Sequence, residues 1–537
     1  MSETSIALRS DVLLAPKDLF SGVDSGPLAA LLSSYSEERR RIDAVVDVLS
    51  DEELSTVVHY FLQGNVDPDD RAIPSSVAER LFAHEGAVKA LDAEYWRRAL
   101  DLTDVLQVMP QKRRDEWWEA IRNRKVPEFS SEVVVETLGE LLASRYKFFA
   151  EKVDGAFRRL SGDHVTNRSF GFSKRMIFSG VTYMGTPDFS RCGHVADLRS
   201  AIAKFLGMED PPWNSTYHLV NVAFRNHGEW MDVDGGSFRM RAYLKGTVHL
   251  EVHPDMAWRL NCVLHSLHPR AIAEEHRRPE KKILRGVKPI SRPIPYRVTS
   301  ILGDLRREGW HRVGYRFSAS HSGDESKVVI RDATRALEYL GGVVEDHGLS
   351  LSVEFDYDAQ PAIDAVVTSG CLPDVESHQY YPTPEGLARD LVDRAEVGSE
   401  DEVLEPSAGQ GSIASLLPRE RTTCVEVNRL HAVILRQRGF RVVETDFLAW
   451  DPGRRFDRVV ANPPFDRGRW RAHLDHMAEL TEDDGRLVVI LPASQRGKDL
   501  LPGWGCAWSE VYRDEFAGAG ADVAIMTATR DGSTIKG

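Results

Sequence analysis

The segment Val403-Leu-Glu-Pro-Ser-Ala-Gly-Gln-Gly-Ser-Ile413 constrains the fold more than any other stretch of this chain. An apolar strand runs into the turn Gly409-x-Gly411, and a helix is expected to begin near Ser412. Glycines let the backbone turn tightly and approach a ligand where a Cβ would collide. A GxG turn alone is weak evidence, and the two strands after it supply the weight. The next strand, TTCVEV, carries Glu426 roughly 20 residues on, where a carboxylate meets ribose hydroxyls in doubly wound nucleotide-binding folds. A further strand, FRVVETDF, ends in Asp446-Phe447, a carboxylate and a ring suited to flank an adenine base. No GxxxxGK[ST] phosphate loop and no second dinucleotide half accompany these segments. A nucleoside with a small charged tail fits them better than NAD or ATP.

A fourth strand, FDRVVA, stops at Asn462-Pro463-Pro464-Phe465. Two prolines cannot continue a sheet, and they stiffen the loop at the strand end where ligands bind. Asn462 offers a side-chain carbonyl as acceptor, and Pro463 a backbone carbonyl with no N–H of its own. Two acceptors gripping an amino group hold both its hydrogens and free the nitrogen lone pair for in-line attack on a sulfonium methyl. Phe465 supplies a face for a base flipped out of a duplex.

As a set these residues resemble the class I, Rossmann-like methyltransferases, and within them the N6-adenine DNA family of γ motif order. Tyr380-Tyr381-Pro382-Thr383-Pro384-Glu385, with the helix GLARDLVDRA after it, resembles that family's motif ahead of the first strand. The resemblance implies S-adenosylmethionine as cofactor, with Tyr381, Pro382 and Thr383 at its methionine end. Glu405, Pro406, Ala408, Gly409 and Gly411 map to the glycine motif, Glu426 and Val427 to the ribose contact, and Asp446 and Phe447 to the adenine contact. Asn462, Pro463, Pro464 and Phe465 map to the catalytic tetrapeptide, Asn462 also bordering the cofactor. GRLVVILP (residues 485–492) resembles the fifth strand, and EFAGAGADVAIMTATR (515–530) the closing hairpin of a mostly parallel seven-stranded sheet. The implied transfer is direct. No Pro-Cys dipeptide exists, so the nucleophile of a cytosine-C5 enzyme is absent.

NPPF followed by Gly468 also occurs in RNA guanine-N2 methyltransferases, and NPPY-type loops act on protein glutamine. Those substrates, and a non-catalytic nucleic-acid-binding protein with a vestigial cofactor fold, stand as alternatives. The YYPTP and LEPSAGQGS spellings favour DNA. Members of the DNA family carry a target-recognition domain after the catalytic core, and only about 45 residues follow Pro492. Base recognition is therefore expected from the N-terminal half.

Three segments are expected along the 537 residues: a helical one over 1–110, an α+β recognition or interaction domain over 111–370, and the methyltransferase domain over 371–537. Helical spacing marks residues 43–62 and 87–106, and a stretch from 112 to 160 broken at Pro127. Alternation marks strands in VTYMG (181–185), YHLVNVAF (217–224), GSFRMRAYL (236–244) and GTVHLEV (246–252). Residues 331–348 read as helical, and 358–379 as a linker. No run of about 18 apolar residues is present, so no membrane span is expected. Five scattered cysteines, none spaced as CxxC, fit a reducing cytoplasm and neither a disulfide framework nor a zinc cluster.

A net charge of −14 suits a nucleic-acid partner only through local patches. Candidate patches are Lys112–Arg114 and the run from His276 to Arg292. Leu160–Asn167, Gly235–Gly246 and Trp258–Asn261 resemble an uncharacterised domain found beside such methyltransferases in bacteria, phages and mobile elements. There Arg239, Arg241, Tyr243 and Lys245 alternate along one strand, either as a face for a phosphate backbone or as a solvated one. His249, Glu251 and His253 share a strand face, but no fourth ligand is visible, so no metal is expected. Trp117 and Trp118 are expected to pack a helix, and His164 and Asn167 to cap backbone. Without a helicase loop or nuclease cluster, any restriction or phage partner is a separate chain.

Overall fold

Apolar side chains at helical spacing organise the N-terminal part of the protein. The structure, a computed structural model, describes residues 25–49, 57, 60–61, 83–160, 167, 171–183, 186–188, 191–279, 290–291, 293–308, 315–320, 326–373, 381–516 and 522–530. The described residues fall into two compact units, one of 232–236 with 290 onward, the other of the remaining residues up to 289. Tyr380, His164 and most of the basic run 276–292 lie outside the described residues.

In the first unit along the chain, helices Ser25–Leu49, His84–Asp101 and Ser131–Ala143 bury Tyr35, Tyr95, Trp96, Phe129 and Leu138 in one cluster. Trp117 packs half-buried against it, 5.6 Å from the Trp96 ring, a packing residue as expected. The arginines of Lys112–Arg114 are spent on acids, Arg113 on Glu151 at 3.6 Å and Arg114 on Asp197 at 4.0 Å. Residues 217–224 are not a strand. They lie in the helix Trp213–Arg225, which Pro212 opens as N-cap. Asn167 both donates to and accepts from the Ile177 backbone at 2.9 Å, the capping role expected of it.

Lys152, on helix Arg145–Arg158, is 2% exposed and donates to Ser200 Oγ at 2.5 Å and to the Gln107 carbonyl at 2.7 Å. Asp197 and Asp210 each lie 3.9 Å from its ammonium. Removing one partner of a buried ion pair leaves the other charge uncompensated. Lys152→Ala should therefore lower the unfolding free energy by about 3 kcal/mol. Urea denaturation followed by circular dichroism reads this directly, and an unshifted midpoint would show that Arg114 alone satisfies Asp197.

Three strands of this unit form an antiparallel sheet: β1 (Arg175–Ser179), β2 (Phe238–Tyr243) and β3 (Thr247–Val252), with β3 between the other two. Phe238, Met240 and Ala242 alternate inward, and Arg239, Arg241 and Tyr243 outward.

The second unit opens with β4 (Tyr315–Ser320), β5 (Val343–Asp346) and β6 (Ser350–Phe355), antiparallel with β6 central. Helices Tyr296–Asp304, Lys327–Tyr339 and Gln360–Ser369 share one core with it, around Phe317, Leu337, Leu351 and Val366. Two expectations change here. The helix read over 331–348 ends at Tyr339, because Gly341 takes a left-handed φ of 86° and the chain returns as β5. The linker read over 358–379 contains a buried helix, with Pro361 in its first turn and Gly370 as a left-handed C-cap at φ 65°.

Seven more strands follow: β7 (Val403–Pro406), β8 (Thr422–Glu426), β9 (Arg441–Glu444), β10 (Phe456–Ala461), β11 (Thr481–Pro492), β12 (Gly505–Trp508) and β13 (Val523–Thr529). They form one sheet in the order β9-β8-β7-β10-β11-β13-β12. β7 to β11 are parallel, while β13 runs antiparallel to β11 and β12. This is a Rossmann-like, mostly parallel seven-stranded sheet. The strand order reverses between β7 and β10, which opens a crevice at their C-terminal ends. No α-helix starts at Ser412: only the 3-10 turn Ala414–Leu416 fits before Pro418. Among the described residues no helix is long and apolar enough to cross a membrane, and all five cysteines are free.

Candidate functional site

The turn after β7 is held in a shape that few sequences adopt. Ser407, Gly409 and Gly411 all have left-handed φ, at 60°, 57° and 90°. A Cβ on Gly411 would meet Leu435 Cδ2 at 2.8 Å, so glycine is needed there for packing as well as for conformation. Ser407 is the residue without that freedom, and strain of this kind persists where the surrounding structure fixes it.

Glu426, ending β8, does part of that fixing. It is 6% exposed, and its carboxylate accepts the Gly409 N–H at 2.8 Å and the Asn428 N–H at 2.7 Å. Asn428 in turn caps helix Arg429–Gln437 by accepting from Leu430 N at 2.9 Å. Burial pushes the Glu426 carboxyl up to about 6, against the pull of its backbone donors. Glu405, on β7, is buried at 2%, and its Oε2 has no hydrogen-bond partner. Burial, and then the neighbouring Glu426 charge, hold its carboxyl well above the ordinary value.

Sequence-distant motifs meet at the end of β10. Asn462 Nδ2 donates to Thr383 Oγ1 at 3.2 Å, bridging the loop before helix Glu385–Ala395 and the Asn-Pro-Pro-Phe loop. Pro382 precedes Thr383 in that loop, and Thr383 itself is buried. Tyr381 and Phe465 are both half-buried against a single apolar cluster that includes Leu387, Ala388 and Val460. Pro463 is buried and Pro464 half-buried, which leaves the loop little freedom. Pro406 pairs with Val425 across β7 and β8, and the Ala408 N–H donates to the Val425 carbonyl at 3.1 Å.

Asp446 and Phe447, expected to flank an adenine, lie in two different surroundings. Phe447 is 3% exposed and sits in the core cluster of Leu474 and Met477. The apolar surface left open after β8 and β9 belongs to Val427, 63% exposed, and Leu448, 38% exposed. Asp446 accepts from Leu448 N at 3.1 Å and pairs with Arg469 at 3.4 Å on the surface.

Two features here were not visible in the sequence. His473, on helix Arg469–Glu479, packs 5.3 Å from the Phe447 ring, and its buried Nε2 has no partner. Burial first, then Arg469, pushes it down to about 4, so it is neutral near pH 7. The second is a clamp on the glycine turn from the 296–369 layer. Gln410 Nε2 donates to the Tyr339 carbonyl at 2.8 Å, and the Gln410 carbonyl accepts from Arg438 at 2.6 Å. The Tyr339 hydroxyl lies 2.8 Å from His431 Nε2. Leu430 and Ile434 join that layer's apolar core.

The metal reading at His249, Glu251 and His253 finds no support. Glu251 is bound by both Arg175 and Arg239, and among the described residues no three His, Cys, Asp or Glu side chains group to hold a metal.

The strand order and the crevice at its reversal define a Rossmann-like α/β fold, with Glu405 and Glu426 on its adjacent strands β7 and β8. Residues 88–269 match the model of a family described as a domain of unknown function, DUF4942. Solved structures with a similar fold include the glycopeptide N-methyltransferase MtfA complexed with S-adenosyl-L-methionine, 17% identical, covering 28% of this chain and 95% of that one at a TM-score of 0.21. The N-methyltransferase NodS from Bradyrhizobium japonicum is 19% identical, with 26% of this chain and 92% of that one covered at a TM-score of 0.22. A TehB-like SAM-dependent methyltransferase from Corynebacterium glutamicum is 16% identical, with coverage of 26% and 85% and a TM-score of 0.20.

Proposed function

We propose that this protein is an S-adenosylmethionine-dependent methyltransferase acting on an exocyclic amino nitrogen, adenine N6 of DNA. The observation that carries the reading is the Thr383–Asn462 hydrogen bond, which joins the two motif loops at the mouth of the crevice. The chain's residues fit the cofactor. The unpartnered Glu405 Oε2 is an acceptor awaiting a donor, and a cationic amino group would offset its buried charge. Glu426 has acceptor capacity beyond its two backbone donors for a pair of ribose hydroxyls. Val427 and Leu448 offer apolar surface to a base.

When bound, the cofactor supplies an electrophilic sulfonium methyl. Asn462 Oδ1 and the Pro463 carbonyl accept the two hydrogens of the target amino group, so its lone pair points away from the ring. Transfer to that nitrogen would leave the cofactor as its neutral thioether, and the displaced N–H proton would pass to water. No side chain is alkylated. Phe465 stacks on the flipped base, and the stiff Pro463-Pro464 turn fixes the direction of attack.

Incubation with duplex DNA and methyl-labelled cofactor should deposit label in N6-methyladenine, identified by nucleoside mass spectrometry. Label that enters RNA or protein while the DNA remains unlabelled would overturn the substrate. DNA from cells expressing the protein, sequenced with detection of modified bases, would then give the sequence context.

A further inference from the structure

We infer that the outer face of β1, β3 and β2 is a DNA-binding surface that grips the phosphodiester backbone through Arg175, Arg239 and Arg241, with Trp230 and Tyr243 as its aromatic platforms. The inference deepens the proposed function and rests on DNA being the substrate.

The cross-strand register builds the face. Arg175 and Arg239 flank Glu251 in one row, and Arg241 lies opposite His249 in the next. The opposite side of the same strands, with Met176, Met240, Ala242, Val248 and Leu250, is buried. Both guanidiniums of the first row bind one carboxylate, yet their side chains remain 51% and 48% exposed. Arg241 pairs with no carboxylate among the described residues, and its buried Nε has no acceptor. Arg241 adds a cation that the Glu251 carboxylate, already shared by Arg175 and Arg239, does not balance.

The aromatic groups are interleaved with that charge. The Trp230 ring lies 5.6, 5.3 and 5.8 Å from the guanidinium carbons of Arg175, Arg239 and Arg241. Tyr243 lies 5.2 Å from Arg241 and 4.6 Å from His249. Rings that hold guanidinium planes by cation–π contact keep them ordered without neutralising them.

A purely structural ladder would balance its charges, as the Arg–Glu–Arg row nearly does. Arg241 is what that row does not explain. Arg175 and Arg239 converge on the one Glu251 carboxylate, and Arg241 stands about 7 Å further along its strand from Arg239. The face therefore offers a second cationic point beside the first, as a run of phosphates requires. Contacts of this kind position a duplex without reading its sequence, and the half-buried rings of Trp230 and Tyr243 flank them.

Fluorescence anisotropy of the full-length protein with a labelled 30-base-pair duplex, across a series of KCl concentrations, tests this. Arg241→Ala breaks no ion pair, and its folding is checked by an unchanged thermal midpoint and unchanged cofactor affinity in calorimetry. It should weaken duplex binding about tenfold at low salt and reduce the slope of log K against log salt by about 0.9. Arg241→Lys should restore the slope while recovering only part of the affinity. If Arg241→Ala and the Arg175/Arg239/Arg241 triple alanine variant both bind duplex DNA like the parent, the face is not the DNA site, although the methyltransferase reading survives. If the parent binds RNA of the same sequence and not the duplex, this inference and the DNA substrate fail together. Methylation of DNA with no detectable parent binding at any salt also overturns the face.

Discussion

Asn462→Ala should reduce methyl transfer by roughly 10³-fold while the cofactor dissociation constant stays within about threefold, since loss of one oriented polar group in a catalytic site has that scale. The geometry explains why the effect falls on transfer. Asn462 spends its Nδ2 on Thr383, leaving Oδ1 as the group that can accept from a substrate amine. An alanine removes that acceptor, so the amino lone pair stays conjugated with the ring and is a poor nucleophile. The contacts proposed for the cofactor, Glu405 and Glu426, sit on β7 and β8 and are untouched. Thr383→Ala should give a milder defect, because Asn462 keeps its carbonyl and loses only its anchor. Single-turnover transfer and calorimetric cofactor binding, measured on the same preparations, separate the two effects. Parallel loss of cofactor binding in Asn462→Ala would mean that the residue walls the cofactor pocket and does not grip the target.

The parts of this site that were legible in the sequence are those dictated by backbone chemistry. Glycines at 409 and 411, a carboxylate ending the next strand and a double proline after the fourth are local constraints, and β7, β8 and β10 with their turns arise from them. What depended on tertiary partners was not legible. The glycine turn is clamped by Tyr339, whose carbonyl accepts from Gln410, 71 positions away. Residues 217–224 mimic strand alternation, yet Leu219, Val220, Val222 and Ala223 are all buried, a helical spacing that the N-cap at Pro212 would have favoured. The helix inside 358–379 was hidden because Pro361 and Gly370, read as loop residues, are the first turn and C-cap of a helix. Phe447 reads as a free ring after a strand, and only packing against Leu474 and Met477 turns it inward. His473 left no signal, since its character comes entirely from burial.

Glu426 should make cofactor binding and protein stability respond to pH in opposite directions. Its carboxyl is pushed up to about 6 from 4.5. Between those values the folded protein holds a proton that the unfolded chain has released. Glu426 therefore contributes about 2 kcal/mol of stability that is fully present below pH 4.5 and is lost as pH rises through 6. Ribose hydroxyls, however, donate to the ionised form, so cofactor affinity should fall as pH drops below about 6, by up to tenfold per unit. Glu426→Gln should flatten the binding profile, because an amide has no proton to take up. Glu426→Ala should weaken the cofactor about 100-fold at pH 7.5, the scale of two hydrogen bonds to a charged group. It also strips the acceptor from Gly409 and Asn428, so part of that loss is a loosened turn. Calorimetric titration with S-adenosylhomocysteine between pH 5 and 8, alongside thermal unfolding of the free protein, reads both signs. A flat affinity profile in the parent would show that Glu426 stays ionised throughout, and a flat profile with weak binding would remove it from the ribose contact.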